Sequence, residues 1–455
     1  MSAARIAIVG GGVSGLATAY YLGRRGIESI LIEKSSQLGG LIRTDLLDGC
    51  RLEAGPDSYI ATKPAVTQLA GELRSLDGQI ISSNDAARRI FIVRSGQLVP
   101  LPQGMTMMVP GKLLPALTSD LFSPSTKLRF LTERFSRPRE RPHDVAVGEL
   151  VIDHFGEEVL DYVADPLLSG VYGGNARDLS AESVLPRFIG FEKRFGSLIQ
   201  GVRQEMNGAP QTGLFLSLRD GMQSLTDALA GAIGKSTRIV HGETTAVRHR
   251  NAGWQIDVAG ESLSAEQLVL ACPAHRCAPL LETSAPELAA QLAAIPYSSA
   301  ILVTLLYRAS DIEHPLDGFG FLVPQRERRT VAAATWVNRK FPTRVAAGWI
   351  AIRAFIVAEE AVQLERAHDS ELTELVQRDL ADFMSISPKA QRSLVNRWPQ
   401  SMPQYIVGHK LRQEAIAQLL HDEPALHLVG NAYDGVGIPD CVRLARATAE
   451  KISTN

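Results

Sequence analysis

Near its start the chain reads Ile6-Ala-Ile-Val-Gly-Gly-Gly-Val-Ser-Gly-Leu-Ala-Thr-Ala-Tyr20, an apolar run, three consecutive glycines and then a helix-forming stretch. Residues 6–9 are apolar without a break, as in a parallel strand buried on both faces. Gly10, Gly12 and Gly15 at its end fit G-x-G-x-x-G. The first glycine permits a tight turn, the second lets a pyrophosphate approach the main chain, and the third lets helix and strand pack closely. The helix start adds free N–H groups and a partial positive charge. A second strand, Ser29-Ile-Leu-Ile-Glu33, ends in a carboxylate 23 positions after Gly10, where a ribose hydroxyl is expected. Glycines alone are as well read as a structural turn. Strand, helix and Glu33 together favour a dinucleotide site.

A chain of 455 residues exceeds one ordinary core, so two or three domains are expected. Its 45% hydrophobic and 21% charged residues are those of a folded protein, and a net charge of −2 argues against nucleic acid as a partner. Cys50, Cys272, Cys277 and Cys441 form no C-x-x-C pair, so neither a metal site nor a disulfide scaffold is indicated. The first strand leaves little room for a targeting peptide ahead of it. There is no run of 18 apolar residues. A cytoplasmic location is therefore expected. The stretch LVPLPQGMTMMVP (98–110) with LLPAL (113–117) either dips into a membrane face or covers a cavity, and the cavity reading is favoured.

Three distant segments, 1–80, 213–283 and 399–455, share strand-glycine-helix character and are expected to form one discontinuous domain. The second contains LRDGMQSLTDALAGAIG, read as a helix, and the strands TTAVRHR and WQIDVAG joined by a turn at Asn251–Gly253. Segments 81–100 and 284–398 mix strands such as SSAILVTLLY with helices such as ELTELVQRDLADFMS, as in a sheet with helices on one side. Segment 101–212 is helical by pattern, interrupted by SRPRERPHD.

Two further glycine-rich turns narrow the cofactor. QLGGLIRT places Gly39 and Gly40 just after Glu33, followed by Arg43 and Thr44. Residues 430–440, GNAYDGVGIPD, precede a helix whose N-terminus would suit the anionic edge of a reduced flavin. Each is unremarkable as a strand-to-helix connection; together they favour FAD over NAD.

In this order, IVGGGVSGLATAYYL, LIEKSSQLGGLIRT, LVLACPA and GNAYDGVGIPDC resemble the FAD-dependent superfamily of amine oxidases, phytoene desaturases and protoporphyrinogen oxidases. LEAGPDSY, ADPLLSGVYGGNARDLSAESVLP, DGFGFLVP and MPQYIVGH are more specific. They resemble the oxygen-dependent protoporphyrinogen oxidase family, which includes the Gram-positive-type coproporphyrinogen III oxidases. The resemblance runs from residue 5 to about 453. It implies an α/β fold (α+β overall): a Rossmann-like FAD-binding domain, a sheet-based substrate domain and a helical domain that often contacts membrane. It extends the cofactor set from Gly10, Gly12, Gly15, Glu33, Gly39, Gly40 and Arg43 to Val13, Ser14, Lys34, Leu41, Ile42, Gly55, Pro56, Asp57 and Ser58. Val247, Ala271, Gly430, Val436, Gly437 and Ile438 complete it.

Family members oxidise a porphyrinogen to the porphyrin in three two-electron steps, with dioxygen as acceptor and hydrogen peroxide released. The flavin carries the chemistry, so no catalytic side chain is proposed; His143, His154, His241, His249 and His275 read as ordinary surface or core residues. Arg89, with Arg88 as fallback, matches an arginine that pairs with a substrate propionate. Phe319 and Leu322 match residues that sandwich a pyrrole, although Phe319, Phe321 and Val323 also fit one core face of a strand. Gly170 matches a substrate-facing carbonyl, or is simply a turn. The implied substrate is protoporphyrinogen IX, with coproporphyrinogen III as the alternative, to which Lys63 would add a cation. A chelatase would receive the product; a homodimer and peripheral contact with the inner face of the cell membrane remain open. Amine oxidases place a lysine on a substrate-domain strand, and here none lies between Lys235 and Lys340. An amine oxidase, a carotenoid desaturase and a flavin-binding protein without turnover are the competing readings.

Overall fold

The computed structural model describes residues 4–206, 213–250, 253–423 and 425–454. Two seven-stranded sheets organise them. In the first, Thr237–His241, Ser29–Glu33, Ala4–Val9, Glu261–Leu270 and Leu426–Leu428 run parallel in that spatial order. An antiparallel hairpin, Thr244–Arg250 with Gly253–Val258, pairs onto the long strand Glu261–Leu270. Residues 251–252 of the turn expected there lie outside the described residues. Successive strand side chains point to opposite faces, and both faces are covered. Ile6, Ile8, Leu31 and Val269 pack in one core with helices Val13–Gly23, Gln223–Ile233 and Ile438–Thr454. Ala7, Val9, Ile30, Ile32, Leu268 and Leu270 pack in the other with the hairpin and helices Ala274–Leu281 and Pro286–Ala293. The unbroken apolar run before Gly10 is the consequence.

The second sheet runs Arg392–Pro403, Tyr297–Arg308, Trp349–Val357, Ala333–Trp336, Gly320–Leu322, Ile90–Arg94, Gln97–Pro100. All its neighbours are antiparallel except Gly320–Leu322 with Ile90–Arg94. Helix Asp369–Met384 closes one face through Leu372, Val376, Leu380 and Phe383. Strand Arg392–Pro403 stays paired to residue 403, past the expected border at 398, because Met402 and Pro403 still partner Ser298 and Tyr297. Helix Pro286–Ala293, expected with this sheet, packs instead in the core of the parallel one.

Between residues 113 and 206, helices gather around Phe130, Val151, Phe155, Leu160 and Phe188. One π-helical turn, Leu160–Ala164, leads into helix Asp165–Tyr172, which carries Gly170. Of the apolar stretch that follows Gln97, Met108, Val109 and Ala116 are buried in this core, while Leu114 is exposed. Among the described residues no helix is long and apolar enough to cross a membrane.

Candidate functional site: a glycine bed facing the second sheet

Two neighbouring parallel strands, Ala4–Val9 and Ser29–Glu33, lead into glycine turns that touch each other. Gly10 leaves its strand at φ 112°, and its N–H donates to the Ile32 carbonyl at 2.8 Å. A Cβ there would lie 2.9 Å from the Ala271 carbonyl carbon, and one at Gly15 would lie 1.9 Å from the Gly10 oxygen. Both positions are closed to any side chain. Gly12 differs: a Cβ would meet nothing within 4 Å. Its open side lies at the start of helix Val13–Gly23, whose first N–H groups lack intrahelical partners. An open face beside free N–H groups suits a pyrophosphate. Gly39 bridges to Gly12, donating its N–H to the Gly11 carbonyl at 2.8 Å, and Gly40 sits at φ 61° with a Cβ position 3.2 Å from the Gly12 Cα. Within this bed Val13 is partly buried and Ser14 buried.

Glu33 closes the bed from its own strand end. Its Oε2 accepts from the Gly11 N–H at 2.7 Å, and its Oε1 accepts from Ser35 N and Oγ at 2.9 and 2.8 Å. Neighbouring Lys34 is exposed. Ala271 lies against Gly10, whereas Val247 is buried in the hairpin core. Of the last loop, Gly430 (φ 147°), Val436 and Gly437 are half-buried, and Ile438 begins the final helix. Tyr405 fixes this loop, donating to the Asn431 carbonyl at 2.8 Å and accepting from Gly435 N–H at 3.0 Å.

A third turn links the two sheets. A Cβ on Gly55 would lie 1.9 Å from the Leu41 carbonyl oxygen, and Ala54 N–H donates to the Arg43 carbonyl at 2.8 Å. Residues 39–43 and 54–58 therefore pack main chain to main chain, with Ile42 buried and Leu41 and Pro56 half-buried. Asp57 then reaches the second sheet: Lys340 Nζ donates to its Oδ1 and Oδ2 at 2.8 and 2.9 Å, and Arg353 lies 3.0 Å away. Burial alone would raise the Asp57 pKa, but the two cations override it and hold the carboxyl well below the usual range. Ser58 Oγ donates to Asp57 at 2.6 Å. Arg353 also donates to the Gly55 carbonyl at 2.6 Å, Trp398 Nε1 to the Ala54 carbonyl at 2.6 Å, and the Arg43 guanidinium to Asn396. Beneath them the buried pair Glu53–Arg344 binds Met222 N–H, Ser217 and the Leu218 carbonyl. None of Lys340, Arg353, Arg344, Asn396 and Trp398 was visible as a site residue in the sequence. They stand 283 to 353 positions from their partners in segment 43–57, with no local motif.

Along the second sheet the structure brings Gly170 and Leu322 together, a Cβ on Gly170 lying 3.8 Å from Leu322 Cδ2. Leu322 packs against the helical core, whereas Phe321 and Val323 turn to the opposite face, beneath helix Asp369–Met384. Phe319 is buried and donates its N–H to the Arg89 carbonyl at 2.7 Å. The Arg89 guanidinium pairs with Asp317, both about half exposed, and Arg88 is exposed. Lys63 is bound to Asp440 of the final helix at 2.7 Å.

This arrangement fits a dinucleotide cofactor, and the comparisons place the chain among flavin-dependent oxidoreductases. A family model for flavin-containing amine oxidoreductases matches residues 13–453. The chain is 30% identical to a coproporphyrinogen III oxidase of Staphylococcus aureus (strain NCTC 8325 / PS 47) over 98% of each chain. It is 29% identical to that of Bacillus subtilis (strain 168), over 99% of this chain and 98% of the relative. A crystal structure from Exiguobacterium sp. 255-15, provisionally named a protoporphyrinogen oxidase, superposes with a TM-score of 0.89 at 30% identity, covering 100% of this chain and 99% of the other. The chain belongs to the flavin-containing amine oxidoreductase family.

Proposed function

We propose that this enzyme binds FAD and oxidises a porphyrinogen to its porphyrin, with coproporphyrinogen III as substrate and protoporphyrinogen IX as the second reading. The observation that carries it is end-to-end similarity, in sequence and in fold, to relatives bearing those names. Among curated relatives, the coproporphyrinogen III oxidases at 29% and 30% identity stand just above a protoporphyrinogen oxidase of Bos taurus at 28%, which favours the first substrate. FAD over a mononucleotide is supported by the bed at Gly12, since only a dinucleotide has a pyrophosphate to place there. When bound, FAD supplies the hydride acceptor. The substrate gives up six hydrogens to three dioxygen molecules, which leave as hydrogen peroxide; the metal-free product suits a chelatase.

The chain's own residues bind and orient. N–H groups at the start of helix Val13–Gly23 hold the pyrophosphate, and Glu33 retains acceptor capacity for a ribose hydroxyl. Loops 39–43, 54–58 and 430–438 hold the rest of the cofactor. Leu322 and Phe319 pack the macrocycle, Gly170 offers its carbonyl, and Arg89 leaves Asp317 to bind a propionate. In this reading the parallel sheet holds the cofactor, the antiparallel sheet the substrate, and the helical segment closes the cleft. Exposed Leu114, Leu128 and Phe135 beside Lys127 and Arg134 form the face we assign to membrane contact on the cytoplasmic side; sedimentation with anionic vesicles tests it. Incubation in air with each porphyrinogen tests the function. Porphyrin fluorescence with peroxide is expected, faster from coproporphyrinogen III. A yellow protein inert to both and bleached by an amine would move the assignment to an amine oxidase.

A further inference from the structure

The four cysteines, unremarkable in sequence, are not equivalent in space. Cys272 follows strand Glu261–Leu270, and Cys277 lies on helix Ala274–Leu281 immediately beyond. Their Sγ atoms are 3.2 Å apart, and Cys277 Sγ also lies 3.3 Å from the Cys272 carbonyl oxygen, to which it can donate. Cys277 is fully buried; Cys272 is partly exposed. Cys50 and Cys441 are buried and, among the described residues, have no sulfur neighbour.

We propose that Cys272 and Cys277 form a reversible disulfide on exposure to hydrogen peroxide, making the edge of the dinucleotide loop a redox modification site. Cys272 is the attacking sulfur. A hydrogen bond from Cys277 draws its pKa below the ordinary thiol value, outweighing burial and the nearby Glu33 carboxylate, which both raise it. The same interaction and burial push Cys277 up, leaving it the protonated resolving thiol.

In the first step the Cys272 thiolate attacks one peroxide oxygen. An S–O bond forms, the O–O bond breaks, and the leaving hydroxide takes a proton to become water. In the second step the Cys277 sulfur displaces hydroxyl from the Cys272 sulfenic acid. An S–S bond forms, the S–O bond breaks, and a second water leaves with the Cys277 proton. Two thiols are oxidised by two electrons in all, and one peroxide is reduced to two waters; a dithiol reverses the bond. The sulfurs need to close by about 1 Å to reach bonding distance. The bond would tie strand exit to helix where the main chain already abuts Gly10, whose Cβ position is 3.0 Å from Cys272 N.

The activity proposed above releases peroxide, but the test supplies it as a reagent and so does not depend on that activity. Purified protein carrying its flavin is treated with hydrogen peroxide, denatured in N-ethylmaleimide and digested with trypsin, which cuts at Arg276 between the two cysteines. The expected result is loss of two of the four thiols, with the two flanking peptides joined by a bond that dithiothreitol cleaves. In Cys277→Ser, Cys272 should stop as a dimedone-reactive sulfenic acid; Cys272→Ser should keep its remaining thiols free. Four free thiols in the treated wild type, or Cys272 recovered there as sulfinic acid, overturns the proposal, and neither outcome relies on a variant folding.

Discussion

In the glycine turns beside the parallel sheet, main-chain atoms build the proposed site; along the antiparallel sheet, side chains build it. The difference is visible in what each position tolerates. Around Gly10, Gly15 and Gly55 an added Cβ would fall 1.9 to 2.9 Å from another main-chain atom, leaving no rotamer to relieve the clash. Around Leu322, Phe319 and Arg89 the constraint is shape and charge, which several residue types meet in part. A backbone-built site is therefore all or nothing, and a side-chain-built site is graded.

The sharpest way to break this contrast lies within the glycines. Gly15→Ala pushes a methyl into the Gly10 carbonyl and should abolish folded holoprotein. Gly12→Val faces open space, so the apoprotein should melt as the wild type does, while flavin absorbance per protein falls close to zero. Paired thermal melts and flavin-to-protein absorbance ratios check both. A Gly15→Ala protein with normal melting and full flavin would refute the main-chain account.

Asp57 joins the two regimes, a loop carboxylate held by Arg353 of the opposite sheet and by Lys340 of the helical turn that follows strand Ala333–Trp336. Asp57→Asn leaves Lys340 and the nearly inaccessible Arg353 without their counter-charge. A buried pair broken on one side costs about 3 kcal/mol, and equilibrium urea unfolding measures it. The sign follows from the lowered folded-state pKa. The stabilisation is present above the unfolded carboxylate value of about 4 and is lost as pH falls through the folded one. The gap between wild type and Asp57→Asn should thus be widest near neutrality and narrow in acid. An equal gap at every pH would mean that charge is not what Asp57 contributes.

A control away from both sheets sharpens the comparison further. His154, read as an ordinary histidine in the sequence, is buried with Nδ1 2.9 Å from Glu133 and Nε2 3.2 Å from Glu192. Burial lowers its pKa, but the two carboxylates outweigh this and raise it overall. A raised value means stability fully present below the unfolded pKa near 6.5 and lost as pH rises through the folded one. His154→Gln should cost about 2 kcal/mol at pH 6 and progressively less in alkali, with flavin content and KM unchanged. A change in either would make the helical cluster part of the site.

These contrasts also explain what was legible in the sequence. The strand, loop and helix around Gly10 and the placement of Glu33 could be read because main-chain geometry demands particular residues at fixed spacing. Neighbours are close in sequence, and at Gly10 and Gly15 nothing but glycine fits. The clasp on Asp57 could not be read, because Lys340 and Arg353 reach it only through the topology of a second sheet. The cysteine pair was hidden differently: an i to i+5 spacing is no motif until a strand exit and a helix start bring the sulfurs together. His154 looked ordinary because the carboxylates that enclose it come from two other helices.

The smallest expected effect is the most direct test of the side-chain half. Arg89 is about half exposed and already paired with Asp317, so binding a propionate exchanges one carboxylate for another in a solvated setting. The net contribution is a fraction of a charge-assisted hydrogen bond. Arg89→Ala should raise KM about threefold, the equivalent of roughly 0.6 kcal/mol. It should leave kcat nearly unchanged, because a contact remote from the reacting carbon binds ground and transition states alike. Asp317→Asn should act in the opposite direction, lowering KM by freeing the guanidinium, and the double variant should behave like Arg89→Ala alone. Steady-state kinetics on coproporphyrinogen III reads all three. Should Asp317→Asn raise KM, or the single changes simply add, the two residues are not competing for one cation and the propionate must be held elsewhere on the sheet.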